Sequence, residues 1–324
     1  MSTHANGAYA APSWLPGGHA QTIYASLRPA PAIRYRRERV DTPDGDFIDF
    51  DWLDATGPAG DATPLVVLFH GLEGSSSSHY ALRLMGELAT AGWRGVVPHF
   101  RGCSGEPNRK PRAYHSGDYA EVGWMLERIR AAASFAPLFA VGVSLGGSAL
   151  LNWLGRQETR AKNVLVAAAA VSTPLDLAAA GRAIDIGMNR IYSRHFLSTL
   201  VPKAKGIAHR FPGLLDPAAI ARANSMYSFD EVVTAPLHGF AGADDYWKRA
   251  SSKPWLRAIV LPTLVLNARN DPFIPASSLP MQSEASSAVS LEQPAHGGHG
   301  GFPRTLFERR DWLPKRLLTF FHTA

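Results

Sequence analysis

The chain has 324 residues, enough for one large domain or two ordinary ones. Hydrophobic residues make up 46% of it and charged residues 19%, proportions typical of a globular protein with an ample core, which argues against a disordered or fibrous chain. The net charge of +6 is thinly spread, so we interpret its densest cluster, residues 34–40, as a solvated strand face rather than a phosphate or membrane patch.

The sequence predicts neither a secretory signal nor a membrane-spanning segment. The single cysteine, Cys103, excludes an intramolecular disulfide and a thiolate metal site, and it fits a reducing compartment, so we predict a cytoplasmic protein. Residues 1–18 lack the basic cluster and apolar core of a secretory signal. No apolar run approaches the roughly 20 residues of a membrane helix, so we predict no transmembrane segment.

The first half of the chain predicts strands that alternate with helices. Residues 34–53 indicate two antiparallel strands around a turn at Asp44–Gly45. Continuous valine and leucine runs then indicate strands buried on both faces, with helical patterns between them. The strands are predicted at 64–70, 93–100, 138–143 and 163–171, and the helices at 78–92, 118–133 and 145–157. This alternation favours a mostly parallel sheet with helices on both faces.

The alternation stops after residue 171. Residues 172–256 contain scattered prolines and polar helices without an alternating apolar strand, which predicts an inserted cap. Strands return at 261–271 and 288–293, and an amphipathic helix is predicted at 309–321. Without an internal repeat or a low-complexity linker, we expect one α/β domain over 1–324, with the cap at about 172–256.

The sharpest local motif is GVSLG, residues 142–146, which has the spacing G-x-S-x-G. It falls where a predicted buried strand ends and a helix begins, the strand-to-helix elbow that exposes a nucleophilic serine. Gly142 and Gly146 remove side chains that would collide in so tight a bend. The motif therefore predicts Ser144 as a nucleophile at the carboxyl edge of the sheet.

A serine hydroxyl needs a base that is itself held by an acid. Each partner is expected in a loop that follows a strand. Asp271 meets this condition, because it ends a predicted strand segment and Pro272 discourages the strand from continuing. Asp244 and Asp245 rank lower, because they lie in the inserted region with no strand before them.

Two histidines, His296 and His299, lie in the glycine-rich stretch PAHGGHGGFP, residues 294–303. The stretch follows the last predicted strand, and spacing alone does not separate the two candidates for the base. We favour His299, because Gly298 and Gly300 flank it and give its backbone freedom to approach the elbow.

The stretch HGLEGSSSSHY, residues 70–80, follows the first predicted parallel strand, where part of an oxyanion hole is expected. The HG pair turns the chain so that the N–H of Leu72 faces the nucleophile. The N–H of Leu145, at the start of the helix after Ser144, supplies the second donor. We expect His70 to hold this loop rather than to act as the base.

No metal or organic cofactor is predicted. The chain has no G-x-G-x-x-G after a strand and no G-x-x-x-x-G-K. The histidine pair of HGGH lacks the glutamate of an H-E-x-x-H zinc site. We also expect no nucleic-acid partner.

Seven segments resemble the YheT-like branch of the α/β-hydrolases, hydrolase family 4 of that superfamily. They are WLPGGHAQTI, TPDGDFIDFDW, FHGLEGSSSSHY, PHFRGCSGEPNRKPRAYHSGD, AVGVSLGGSALLNWLG, NARNDPFIP and HGGHGGF, and they run over nearly the whole chain. The resemblance implies the α/β-hydrolase fold, with the nucleophile at Ser144 and the acid at Asp271. It also implies that His299, rather than His296, is the base.

The resemblance implies serine esterase activity on carboxylic esters with short- to medium-chain or lipid-like acyl groups. Ser144, His299 and Asp271 would act through an acyl-enzyme. Two alternatives stay open: transfer of the acyl group to an alcohol by the same triad, and a catalytically silent binding protein on this scaffold. The expected partner is a small-molecule ester, and the sequence leaves peripheral membrane contact and the oligomeric state open.

Apolar side chains of the cap have two interpretations that the sequence does not separate. They line or cover an acyl pocket, or they form the cap's own small core. The residues are Met188, Tyr192, Phe196, Met226, Tyr227, Phe229, Tyr246 and Trp247.

Overall fold

A computed structural model describes residues 9–54, 62–304 and 311–324. Residues 1–8 of the segment examined for a signal lie outside the described residues, as do residues 309–310 of the predicted last helix. In the described ranges, no helix is both long enough and apolar enough to span a bilayer.

The strands form a single mixed sheet. They are β1 (Arg36–Asp41), β2 (Phe47–Leu53), β3 (Leu65–Phe69), β4 (Arg94–Pro98), β5 (Leu138–Val143), β6 (Ala167–Val171), β7 (Thr263–Leu266) and β8 (Val289–Glu292). Within the described residues, these eight strands lie in the order β1-β2-β4-β3-β5-β6-β7-β8. Strand β2 is antiparallel to β1 and β4, and the other neighbouring pairs are parallel. The predicted sheet is therefore confirmed.

The helices cover both faces of the sheet. Those that follow β6 and precede β7 along the chain form a layer of their own. They are α1 (Gly18–Leu27), α2 (His79–Ala91), α3 (Tyr119–Ala132), α4 (Leu145–Gln157), α5 (Leu177–Ile184), α6 (Arg190–Arg210), α7 (Pro217–Arg222), α8 (Met226–Phe229), α9 (Ala235–His238), α10 (Ala243–Ala250) and α11 (Trp312–Thr323). Alternation along β3 shows why two helical layers are needed. Leu65, Val67 and Phe69 join the core with α3 and α4, whereas Val66 and Leu68 join the core with α2 and α11.

The basic cluster at residues 34–40 is part of the edge strand. Arg37 lies opposite Asp51 and Arg39 opposite Asp49 in the β1–β2 register. Both guanidinium groups donate two hydrogen bonds to the facing carboxylate, at 2.7–2.8 Å. The positive charges of Arg37 and Arg39 are therefore paired with carboxylates of the neighbouring strand, as expected for a solvated strand face.

The segment that follows β6, where the sequence indicated polar helices but did not give their bounds, is mostly helical. Helix α6 alone has 21 residues, and it buries Leu197, Leu200, Ala204 and Ala208 at spacings of three and four. This stripe is narrow and half of it is alanine, so the apolar periodicity is weak in the sequence. Helix α1 was not predicted either, because only Gln21 and Ala25 of its ten residues are buried.

Strand β7 is shorter than expected, four residues instead of eleven. Residues 267–271 leave the sheet and begin the loop that carries Asp271. Strands β3, β5, β6 and β7 run parallel, so the loops that follow them meet at one edge of the sheet.

Candidate active site

Ser144 lies between the last residue of β5 and the first residue of α4. Its backbone has φ 54° and ψ −122°, a conformation that costs a non-glycine residue about 1–3 kcal/mol. A Cβ added to Gly146 would lie 2.4 Å from the carbonyl oxygen of Phe69, so only glycine lets the first turn of α4 approach β3 this closely. The strand-to-helix elbow predicted for GVSLG is thus present, with the serine side chain at the carboxyl edge of the sheet.

Asp271 is buried, with no exposed side-chain surface. Its Oδ2 accepts a hydrogen bond from His299 Nδ1–H at 2.8 Å, and its Oδ1 accepts one from the Phe273 N–H at 2.8 Å. His296 is exposed, and its ring nitrogen lies 3.4 Å from the side-chain amide of Asn270. Of the two candidate histidines, His299 is therefore the one that the carboxylate holds.

Ser144 and His299 line the same cavity. In the described chain the serine hydroxyl makes no hydrogen bond to the imidazole. Hydrogen bonds between a nucleophile and its base are often long without substrate and shorten when substrate binds. The structure thus joins His299 to Asp271 directly, and it brings Ser144 to the same cavity wall.

The loop after β3 carries the first expected oxyanion donor. The N–H of Gly71 donates to the hydroxyl of Tyr80 at 2.8 Å, and the N–H of Glu73 donates to that of Tyr114 at 2.7 Å. Between them, the Leu72 N–H has no acceptor within the described chain. A donor that is held by its neighbours and left unpaired can bind a developing oxyanion.

The second expected donor is the N–H of Leu145, the first residue of α4. It has no acceptor among the described residues, as is usual for the first turn of a helix. Leu145 lines the cavity beside Ser144, and the positive end of the helix dipole favours negative charge there. A Cβ on Gly71 would lie 3.2 Å from Ser144 Cβ, which brings the loop of the other donor beside the serine.

His70 holds the loop and does not line the cavity. Its Nδ1–H donates to Gly71 O at 2.8 Å, and its Nε2 accepts from the Phe100 N–H at 3.1 Å. Complete burial lowers the pKa of this imidazole to about 3, so it is neutral at pH 7. These contacts agree with the expected structural role.

The cavity that Ser144 and His299 line has a volume of about 910 Å³, at the upper end for small-molecule sites. Five of the eight cap residues singled out from the sequence line it, namely Phe196, Met226, Phe229, Tyr246 and Trp247. Met188, Tyr192 and Tyr227 do not line it, and Met188 and Tyr227 are 65% and 40% exposed. Met188 lies between α5 and α6, and the ring of Tyr227 in α8 packs against Trp247 with centroids 5.4 Å apart.

Polar side chains line part of the cavity as well. Lys203 of α6 forms an ion pair with Glu73, with Nζ 2.7 Å from the carboxylate, and so links the layer of helices to the sheet edge. Cys103 also lines the cavity, but burial raises the pKa of its thiol to about 12. The thiol is therefore protonated at neutral pH and does not compete with Ser144 as a nucleophile.

Phe273 connects the loop that carries Asp271 to helix α6. Its ring centroid lies 4.3 Å from that of His299 and 4.7 Å from that of Tyr192 in α6. The imidazole is therefore held both by the carboxylate of Asp271 and by contact with an aromatic ring.

The rival acids have other partners. Asp244 is 65% exposed on its side chain and faces Arg182, and Asp245 accepts the Ala241 N–H and pairs with Arg249. Both lie in the first turn of α10, where acidic residues stabilise a helix. No cluster of potential metal ligands is found in the described residues, the HGGH stretch included.

The sequence analysis missed the side chains that hold the glycine-rich loop. Ser172 Oγ accepts the Gly300 N–H at 2.8 Å, and Gln21 and Thr22 of α1 accept N–H groups from the same loop. Ser172 could have been found by its position, because it directly follows β6 at the sheet edge where Ser144 lies. The α1 residues gave no such signal, because their contacts are more than 270 residues away along the chain.

Comparison with known proteins identifies the family and the fold. A family model described as alpha/beta hydrolase fold matches residues 64–303. YheT of Escherichia coli (strain K12) is 39% identical over 284 residues, which cover 86% of this chain and 82% of YheT. Phospholipase ABHD3 of Mus musculus is 31% identical over 321 residues, covering 96% of this chain and 77% of its own. The solved esterase EaEST of Exiguobacterium antarcticum covers 89% of this chain and 100% of its own, with a TM-score of 0.55 at 13% identity, and shows the shared fold.

The match to the phospholipase is longer than the part covered by the family model, so the similarity includes more than the core of the sheet. The predicted fold and the predicted class of enzyme, an esterase- or lipase-like hydrolase, are confirmed by these relatives. The chain therefore belongs to the α/β-hydrolase family, in the branch that includes YheT.

Proposed function

We propose that this protein is a serine hydrolase that cleaves carboxylic esters through Ser144, His299 and Asp271. The observation that carries the proposal is the 2.8 Å hydrogen bond from His299 to Asp271, at the wall of the cavity that Ser144 also lines. The bond holds the proton on Nδ1 and leaves Nε2 free to accept another. A neutral imidazole in that tautomer is the form a general base requires.

Acylation begins when Ser144 Oγ bonds to the ester carbonyl carbon and its proton passes to His299 Nε2. The carbonyl oxygen becomes an oxyanion, which accepts hydrogen bonds from the N–H groups of Leu72 and Leu145. The negative charge of Asp271 stabilises the imidazolium formed in this step. The bond to the leaving alcohol then breaks, the alcohol takes the proton from Nε2, and an acyl-Ser144 ester remains.

Deacylation repeats the sequence with water. His299 takes a proton from the water as its oxygen bonds to the acyl carbon, and the same N–H groups bind the second oxyanion. Collapse releases the carboxylic acid, and the proton on Nε2 returns to Ser144 Oγ. No step in either half-reaction calls for an oxidant or reductant.

For the substrate we propose esters with an apolar acyl chain, short to medium in length or lipid-like. A cavity of about 910 Å³ that is lined by Phe196, Met226, Phe229 and similar side chains is large enough for such a chain. The name of the phospholipase relative points to lipid esters as well. The helices between β6 and β7, which contribute these side chains, act in this proposal as the cap over the acyl group.

Peripheral contact with a membrane surface is part of the same proposal. Ile186, Met188 and Ile191, where α5 leads into α6, are 66%, 65% and 64% exposed. Arg190 and Arg194 are exposed on the same segment, so an apolar tip stands beside cationic side chains. That combination suits an anionic bilayer surface. Co-sedimentation with phosphatidylserine vesicles should be lost in an I186S/M188S double variant, and equal binding of both proteins would contradict this part of the proposal.

The triad assignment is tested by substitution. Ser144→Ala should lower ester turnover by about 10³- to 10⁶-fold, as for other triad serines. His299→Ala should behave similarly, whereas His296→Ala, an exposed residue in the same loop, serves as its matched control. Wild-type turnover in folded S144A, or loss confined to H296A, would overturn the assignment.

Two further measurements separate the alternatives. A fluorophosphonate probe should label the wild-type protein at Ser144 and leave S144A unlabelled, whereas no labelling of either would favour the binding protein. Product analysis with added alcohol distinguishes hydrolysis from acyl transfer, because the free acid predominates only if water reaches the acyl-enzyme.

A further inference from the structure

Helix α1 contacts the two loops that carry the proposed acid and base. The amide oxygen of Gln21 accepts the Gly297 N–H at 2.8 Å and the Asn270 side-chain N–H at 3.0 Å. Asn270 directly precedes Asp271, and Gly297 lies two residues before His299. One buried oxygen thus joins the acid loop to the base loop.

The Gln21 side chain is itself held in place. It is only 1% exposed, and its amide nitrogen donates to the carbonyl oxygen of Leu15 at 3.0 Å. Asn270 extends the link, because its own oxygen accepts the Gly298 N–H at 3.1 Å. A buried amide with its oxygen and nitrogen both paired is rigid, and losing it would leave buried donors unpaired.

Thr22 makes the next contact along the helix. Its hydroxyl accepts the backbone N–H of His299 at 2.9 Å and donates to the Gly18 carbonyl oxygen at 2.7 Å. The loop reaches the helix because Gly298 has φ 64°, and a Cβ there would lie 2.8 Å from the Thr22 backbone nitrogen. Any other residue at 298 would push the His299 backbone away from α1.

We propose that Gln21 and Thr22 are positioning residues for the catalytic centre. Through them α1, which precedes the residues 64–303 matched by the family model, sets the distance between the imidazole of His299 and the hydroxyl of Ser144. The inference rests on the proposed function, because it assigns these residues to the support of that base and acid. Neither side chain lines the cavity, so neither is expected to touch the substrate.

The test compares near-isosteric variants. Thr22→Val removes the hydroxyl, Thr22→Ser keeps it, and Gln21→Met removes all three hydrogen bonds of the amide with little change in volume. Ser26→Ala is the matched control on α1, because the Ser26 hydroxyl bonds only within the exposed side of the helix. kcat and KM for p-nitrophenyl butyrate are measured per active site titrated with a fluorophosphonate, and hydrogen exchange is followed at the amides of 297–299.

T22V and Q21M should lower kcat by about 10- to 100-fold with KM within about threefold of wild type, since a displacement of about 1 Å can cost 10² in rate. T22S and S26A should stay within about threefold. Hydrogen exchange at Gly297 should be faster in Q21M, and at His299 faster in T22V.

Equal kcat in T22V and T22S, or unchanged exchange in both T22V and Q21M, would overturn the inference. Should Q21M fail to fold, T22V carries the test, because Thr22 is half-buried and its replacement leaves the Gln21 contacts intact. A wild-type protein without ester turnover would refute the proposed function instead. The exchange measurement would then still decide whether α1 holds the loop.

Discussion

Asp271→Asn changes one buried oxygen of the acid to an amide nitrogen and leaves the shape of the side chain nearly unchanged. In the wild type the two carboxylate oxygens accept one hydrogen bond each, from His299 Nδ1–H and from the Phe273 N–H, both at 2.8 Å. Asparagine has a single acceptor oxygen. It can therefore satisfy only one of these two donors.

The Phe273 N–H and the His299 imidazole differ in whether the proton of the donor can move. The Phe273 N–H cannot move its proton, whereas a neutral imidazole can carry its proton on either nitrogen. The asparagine oxygen is therefore expected to stay with Phe273, and its NH₂ group then faces Nδ1. His299 is left with its proton on Nε2, where it cannot accept the proton of Ser144. A tautomer inversion of this kind lowers kcat by about 10⁴, which is about 5.4 kcal/mol in the activation barrier.

The assay is the initial rate of p-nitrophenyl butyrate hydrolysis at pH 7.5, with folding checked by circular dichroism. D245N is the control, because Asp245 is the rival acid and its carboxylate lies at the start of α10. We expect D271N to lose about 10³- to 10⁴-fold and D245N to remain within about threefold. The reasoning is refuted if folded D271N retains wild-type turnover, or if D245N is the more damaged variant.

Three further predictions concern packing, acid stability and the cavity. Gly146→Ala places a methyl group 2.4 Å from the Phe69 carbonyl oxygen and should lower the free energy of unfolding by about 1–3 kcal/mol or more, so an unchanged urea midpoint would contradict the tight elbow. Burial lowers the pKa of His238 to about 3, below its unfolded value of about 6.5, so its contribution to stability is present above pH 6.5 and lost as the pH falls towards 3. His238→Phe should therefore show a smaller drop in urea midpoint between pH 7.5 and pH 4.5, and an identical drop would exclude this histidine as a cause. Ile207 lines the cavity, so Ile207→Trp should reduce turnover of long acyl esters more than of acetate, and an unchanged chain-length profile would place the acyl group elsewhere.

The sheet and the elbow could be predicted because each is encoded locally. The strands β3 and β5 read as unbroken apolar runs, since both of their faces are covered by helices. GVSLG lies at the end of one such run, so its position alone indicated the bend at Ser144. The order of the loops along the chain then placed Asp271 and the two histidines at the same edge.

The remaining features depend on contacts between distant residues. Helix α1 has few buried residues of its own, and its contacts with the glycine-rich loop join positions more than 270 residues apart. The ion pair between Lys203 and Glu73 joins residues that no local pattern relates. The bounds of the helices between β6 and β7 could not be predicted for a similar reason, since α6 packs mainly through small or widely spaced side chains.

The ring of Phe273 contacts both the imidazole of His299 and the ring of Tyr192 in α6, and so connects the cap to the proposed base. In the proposed mechanism, an acyl chain that displaced α6 would shift the ring of Phe273, and with it the His299 nitrogen that accepts the proton of Ser144. The size of the acyl group would then affect the transfer of the proton. Longer acyl groups should change kcat as well as KM, because the fit of the chain is transmitted to the chemical step.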